Sequence, residues 1–187
     1  PFSTVYWDTL EDLWTGPGSV IGFVMGLLLG AALFAPPFGI RRAKFLDELV
    51  PALALGQAVG RLGCFATGCC FGRPTIAPWG VVYPVSRVAA TVYPGTPLHP
   101  TQLYESLFCV LLALALIKWT SRYQGTLLPS GVYLCSYGVL RFLAQFFRAD
   151  EPATFGPLTV SQIGAAALAP VGIAFLGCSS RGARAST

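Results

Sequence analysis

Charge is what this sequence has least of. Only 11% of its 187 residues are Asp, Glu, Lys or Arg, against about 25% in an ordinary soluble domain. That scarcity, with 54% hydrophobic residues and a mean hydropathy of +0.64, leaves no room for a separate soluble domain. The net charge of +4 is spread over short loops, so a nucleic-acid partner is not expected. Histidine occurs once, at His99, and methionine once, at Met25 inside an apolar run. A cleavable secretory signal is not apparent, because the first charged residues are Asp8, Glu11 and Asp12, the wrong sign for its basic flank. With Pro1 at the start and the only Met internal, the chain is expected to be processed or N-terminally incomplete. No internal repeat of fixed period is present.

What the sequence does have is long apolar runs. At about 20 residues for each crossing, its length allows roughly five or six membrane-spanning helices. Five are expected, at about 19–35, 47–64, 100–119, 126–148 and 158–178, in a single transmembrane domain over 1–187. The first, SVIGFVMGLLLGAALFA, is glycine-rich, which allows close helix contacts, and Pro36-Pro37 ends it. Asp47 and Glu48 suit the start of the second, where the helix dipole is positive. Between the second and third lies a polar, proline-rich stretch, 66–98, expected to be a long loop or re-entrant segment. Its Trp79, Tyr83 and Tyr93 suit a membrane interface. The fold class is therefore an all-α, polytopic transmembrane bundle.

Loop cations indicate an orientation. Arg41, Arg42, Lys44, Lys118, Arg122, Arg181 and Arg184 fall on one side of this topology, and Arg73, Arg87 and Arg148 on the other. The N-terminus and the long loop are thus expected outside the cytoplasm, and the C-terminus inside.

Two arginines do not belong to loops. Arg61 and Arg141 lie within or at the edge of apolar helices, where an arginine costs about 2.5–3.5 kcal/mol on insertion scales and marks a candidate functional site. Both helices approach the external side at their C-terminal ends, so the two guanidiniums are expected to bind an anion together, bidentate geometry suiting phosphate. Snorkelling, or pairing with Glu105, is the alternative. Gln145 falls one helical turn from Arg141 on the same face.

The blocks GRLGCFATGCCFGRPTIAPWGVVYP, LHPTQLYESL, YGVLRFLAQFFRAD and LTVSQIGAAALAPVGI, in that order, resemble the motif blocks of the prolipoprotein diacylglyceryl transferases. The earlier DLWTGPGSVIGFVMGLLLGAALFA looks like that family's first block. The resemblance implies an enzyme of the bacterial inner membrane that moves the diacylglyceryl group of phosphatidylglycerol onto a cysteine thiol of an exported lipoprotein, releasing glycerol 1-phosphate. Arg61 and Arg141 match the family's essential arginines. Tyr137 would line the same cavity, and Gly63 and Arg73 fall where the match is strongest. His99 matches the family's His-Pro block, here followed by Thr101, and is the best available base for the thiol. Gln102, Tyr104 and Glu105 would orient it or hold Arg61. No cofactor is implied.

Departures from the family pattern point to a divergent, cysteine-rich paralogue. Cys64 and Cys69 stand where the family usually has Asn and Glu, Cys70 lies beside them, Gln145 replaces a Glu, and Ile21 falls where a His is usual. The three cysteines read as a disulfide of the oxidising compartment, as reactive thiols, or as small packing residues; zinc held by them with His99 is a further alternative, but C-x4-C-C is not a recurring zinc spacing, so no metal is expected. Two other functions stay open: a membrane thiol–disulfide redox protein using these cysteines, and a catalytically silent phospholipid-binding paralogue.

Overall fold

The computed structural model describes residues 41–149 and 158–184. The expected first span, 19–35, and Ile21 lie outside them. The described part is helical, without β-strands, and we number its helices α1 Arg42–Thr67, α2 Val88–Val92, α3 Thr101–Tyr123, α4 Leu128–Ala144 and α5 Val160–Arg184. A 3-10 turn, Gln145–Phe147, continues α4. Among the described residues, three helices are long and apolar enough to cross a membrane: Arg42–Thr67, Thr101–Tyr123 and Ser161–Ser179 within α5. The 17-residue α4 packs most extensively against α5, and α1 packs against α3.

The bundle is apolar outside and, beside an apolar core, carries polar and charged side chains within. Val59, Leu62, Leu107, Leu111, Val139 and Ile173 are exposed, whereas Asp47, Gln102, Glu105, Ser130, Arg141, Arg148 and Ser161 are buried. Such a surface suits lipid, which has no polar groups to offer side chains or backbone. Close helix contact comes from glycine. A β-carbon at Gly172 would sit 2.5 Å from the Cys135 sulfur, and one at Gly131 would sit 3.0 Å from the Gly172 carbonyl. Small residues of this kind let membrane helices approach closely.

Two sequence expectations change. The helix read as 47–64 runs from Arg42 to Thr67, so Asp47 is not in its first turn. Its buried carboxylate instead accepts hydrogen bonds from the Gly125, Leu127 and Ser130 amides and from the Ser130 hydroxyl at 2.6 Å. It thereby serves the orphan amides at the start of α4, where a negative charge is favoured by the helix dipole. The stretch 66–98 is also more than a polar loop. It contains α2 and isolated bridges from Pro74 and Val81 to Leu98, and it buries Phe71, Tyr83, Ala89, Ala90 and Leu98 in a small core of its own.

Candidate active site

The site sits where α1, α3 and α4 bring charge into the bundle at the end opposite Asp47. Glu105, one turn into α3, is 1% exposed and faces three arginines from three segments. Arg61 Nη2 of α1 lies 2.9 Å from Glu105 Oε2, Arg141 Nη1 of α4 lies 3.9 Å from Oε1, and Arg148 Nη1, beyond the 3-10 turn, lies 4.0 Å from Oε1. Among the described residues, neither Glu105 oxygen accepts a directional hydrogen bond. Charge, rather than linear N–H···O geometry, holds this cluster.

Arg141 is oriented from its other edge. Its Nη1 donates to Gln145 Oε1 at 3.2 Å and its Nη2 to Ser161 Oγ of α5 at 2.9 Å. Tyr137, one turn before Arg141, stacks on Tyr133 beside the cluster and is 7% exposed.

Arg148 was not among the residues singled out from the sequence. It lies in a polar turn and reads there as a loop charge, yet it is as buried as Arg141. The Gly72–Arg148 bridge, and the Arg73 Nε bond to the Arg148 carbonyl, fold this turn back over the site. Its place in FFRAD beside an apolar helix end was the available signal. Arg73 itself is exposed and acts here on backbone, while Gly63 faces open space.

The loop after α1 forms the roof. Gly68 ends α1 in the left-handed region at φ 73°, its amide on the Cys64 and Phe65 carbonyls, and a β-carbon there would lie 2.8 Å from Arg87 Cβ. Only glycine meets both demands. The chain then reverses through Cys69 and Cys70, and the first turn of α3 anchors it: Gln102 Nε2 donates to the Cys69 carbonyl at 2.6 Å and Thr101 Oγ1 to the Cys70 carbonyl at 2.8 Å. Buried Tyr83 donates to Gln102 Oε1. Burial pushes its phenol up, with the Gln102 bond working the other way, so it remains a neutral donor. The sulfurs of Cys64, Cys69 and Cys70 lie within 4.8 Å of one another, the Cys69 thiol accepting from Thr67 Oγ1 at 3.2 Å and donating to the Cys64 carbonyl.

His99 is half-buried, its ring edge-on to Phe147 and its Nδ1 3.2 Å from the exposed Tyr104 hydroxyl. Its backbone bonds to Gly72 and Arg73 tie it to the roof. Below Glu105, between α3 and α4, runs a groove of about 570 Å³ lined by Phe108, Val139, Leu140, Leu143 and Phe147, with Tyr104 and Glu105 at its polar end.

Helices with apolar outer faces, a buried arginine–carboxylate cluster and an apolar groove reaching it are the makeup of a helical membrane protein with a charged internal site. The comparisons agree with that class. A model of the prolipoprotein diacylglyceryl transferase family matches residues 5–178, and the chain belongs to this family. It is 36% identical to a phosphatidylglycerol–prolipoprotein diacylglyceryl transferase of Clostridium tetani, over 83% of this chain and 61% of the relative. It is 34% identical to a protein of Clostridium perfringens bearing that name with the number 2, over 79% and 57%, and 35% identical to one of Coxiella burnetii, over 82% and 58%. The chain thus spans about three fifths of the length of these relatives.

Proposed function

We propose that this protein transfers the diacylglyceryl group of phosphatidylglycerol to a cysteine thiol of an exported lipoprotein precursor, releasing glycerol 1-phosphate. The observation that carries this reading is the convergence of Arg61, Arg141 and Arg148 on buried Glu105 at the polar end of an apolar groove. The lipid enters sideways, its chains along Phe108, Val139, Leu140 and Leu143, its phosphate among the guanidiniums. Glu105 holds these cations in place when no phosphate is present.

The acceptor sulfur, as thiolate, attacks the terminal glycerol carbon of the diacylglyceryl group. A C–S bond forms, the C–O bond to phosphate breaks, and its electron pair leaves on the phosphate oxygen. The arginines stabilise that developing charge, an electrostatic contribution worth roughly 100- to 1,000-fold in rate for each lost donor. His99 takes the thiol proton, with Tyr104 orienting the ring. Gln102 fixes the roof, Gln145 and Tyr137 position Arg141, and Arg73 and Gly63 border the headgroup path.

The protein is proposed to be a five-span bundle of the bacterial inner membrane, with the N-terminus and 66–98 outside the cytoplasm and the C-terminus inside. Support for the arrangement comes from the Gly125 turn approaching Arg41 and Lys44, which puts two cation-bearing segments at one end. Purified protein with phosphatidylglycerol vesicles and a lipobox peptide should add one diacylglyceryl mass to the peptide, and Arg61→Ala or Arg141→Ala should abolish the gain. Binding of the lipid without any mass gain would leave a silent lipid-binding protein instead.

A further inference from the structure

We propose that Cys64, Cys69 and Cys70 form a three-thiolate site for a zinc-class divalent cation, whose fourth position takes the acceptor thiol. The spacing C-x4-C-C gives no hint of this, because the ligands converge only after the chain reverses at Gly68. Cys64 occupies the last turn of α1. Cys69 and Cys70 return beside it, Cys70 at φ 58°, a left-handed conformation that a non-glycine residue rarely adopts. All three sulfurs lie within 4.8 Å of one another. Thiolates about 2.3 Å from a tetrahedral zinc ion are separated by about 3.8 Å, so a sub-ångström to one-ångström contraction closes the site.

A disulfide joins two sulfurs and leaves the third unexplained, whereas a single metal ion accounts for three thiols gathered within 4.8 Å. Among the described residues, no His, Asp or Glu completes the cluster. Three protein ligands and one open position is the pattern of catalytic rather than structural zinc. The anchoring of the Cys69 and Cys70 carbonyls by Gln102 and Thr101 supplies the outer support such sites need.

This inference rests on the transferase reading for its consequence. Arg61 precedes Cys64 by one helical turn on α1, so a thiol bound at the open position lies beside the phosphate cluster. Coordination releases the thiol proton, to His99 and then to water, and leaves a metal-bound thiolate sulfur. That sulfur attacks the glycerol carbon and the product thioether, a poor zinc ligand, departs; the metal's oxidation state does not change.

The test uses the whole protein in nanodiscs, reduced, stripped with chelator and titrated with zinc or cobalt(II). One equivalent per chain should bind, with a sulfur-to-cobalt charge-transfer band that changes when a lipobox peptide is added. The triple Ser variant at Cys64, Cys69 and Cys70 should lose both signals, and Cys178→Ser should keep them. Transfer by the triple variant should fall at least tenfold at pH 7 and recover towards pH 9, where a free thiol of pKa about 8.5 ionises unaided. Absence of stoichiometric binding, or equal binding by the triple variant, overturns the site. Binding with an unshifted pH profile of transfer overturns the thiol-activating role. If cobalt binds and responds to the peptide while no preparation transfers lipid, the site stands and the transferase reading falls.

Discussion

Two buried carboxylates lie at opposite ends of this bundle, and they are held in opposite ways. Asp47 receives three backbone amides and a hydroxyl in directional hydrogen bonds, with no cation in the set. Among the described residues, Glu105 receives no directional bond and is surrounded by three guanidiniums at 2.9–4.0 Å. Neutral dipoles committed to a carboxylate make a fixed joint, since moving it strands several buried amides. A carboxylate held by charge rather than by directional bonds can yield the cations around it to a second anion. The same chemical group thus closes the α3–α4 turn at one end and keeps a phosphate site ready at the other.

The largest effect that sharpens this contrast belongs to Glu105→Gln. Without the counter-charge the arginines attract phosphate at least as strongly but repel one another out of register. kcat for lipid transfer should drop roughly 100-fold, as misplacement by about an ångström does elsewhere, while KM for phosphatidylglycerol stays level or falls. Steady-state kinetics on vesicles read both constants. An intact kcat would make Glu105 no more than a second structural carboxylate.

Asp47→Asn comes next and should act on stability alone. An amide nitrogen turned towards the donors of Leu127 or Ser130 loses up to two hydrogen bonds, costing about 2–3 kcal/mol. Thermal unfolding in detergent should show this, with kcat per folded molecule unchanged. A selective loss of kcat would break the comparison from the other side.

The sequence made some of this legible and hid the rest for identifiable reasons. Arg61, Arg141 and Glu105 stand out because charge inside an apolar run is costly, and the 3.6-residue period places Gln145 on Arg141. Membership of the family was readable from four ordered blocks. Arg148 was concealed by its polar neighbours: its burial depends on the bridge to Gly72, a contact between segments far apart in the chain. Asp47 misled because an acid near a helix start has a ready local explanation, while its partners lie about eighty residues away. Convergence of the cysteines depends on two left-handed residues, Gly68 and Cys70, which no apolar period encodes.

The smallest expected effect lies in the roof, between the two carboxylates in character. Tyr83 is buried and donates one hydrogen bond to Gln102 Oε1, whose Nε2 holds the Cys69 carbonyl. Tyr83→Phe keeps the ring against Phe65 and removes only the hydroxyl. The direct cost should be about 1 kcal/mol, one buried hydrogen bond. If the roof is a rigid joint like Asp47, the loss will appear in unfolding temperature and nowhere else. If the roof positions the thiol cluster, kcat for transfer will fall a few-fold in a variant that unfolds almost normally, because Gln102 is then free to release Cys69. We expect the second outcome, since the 2.6 Å amide bond from Gln102 ties the Cys69 carbonyl to α3, whereas four hydrogen bonds hold Asp47.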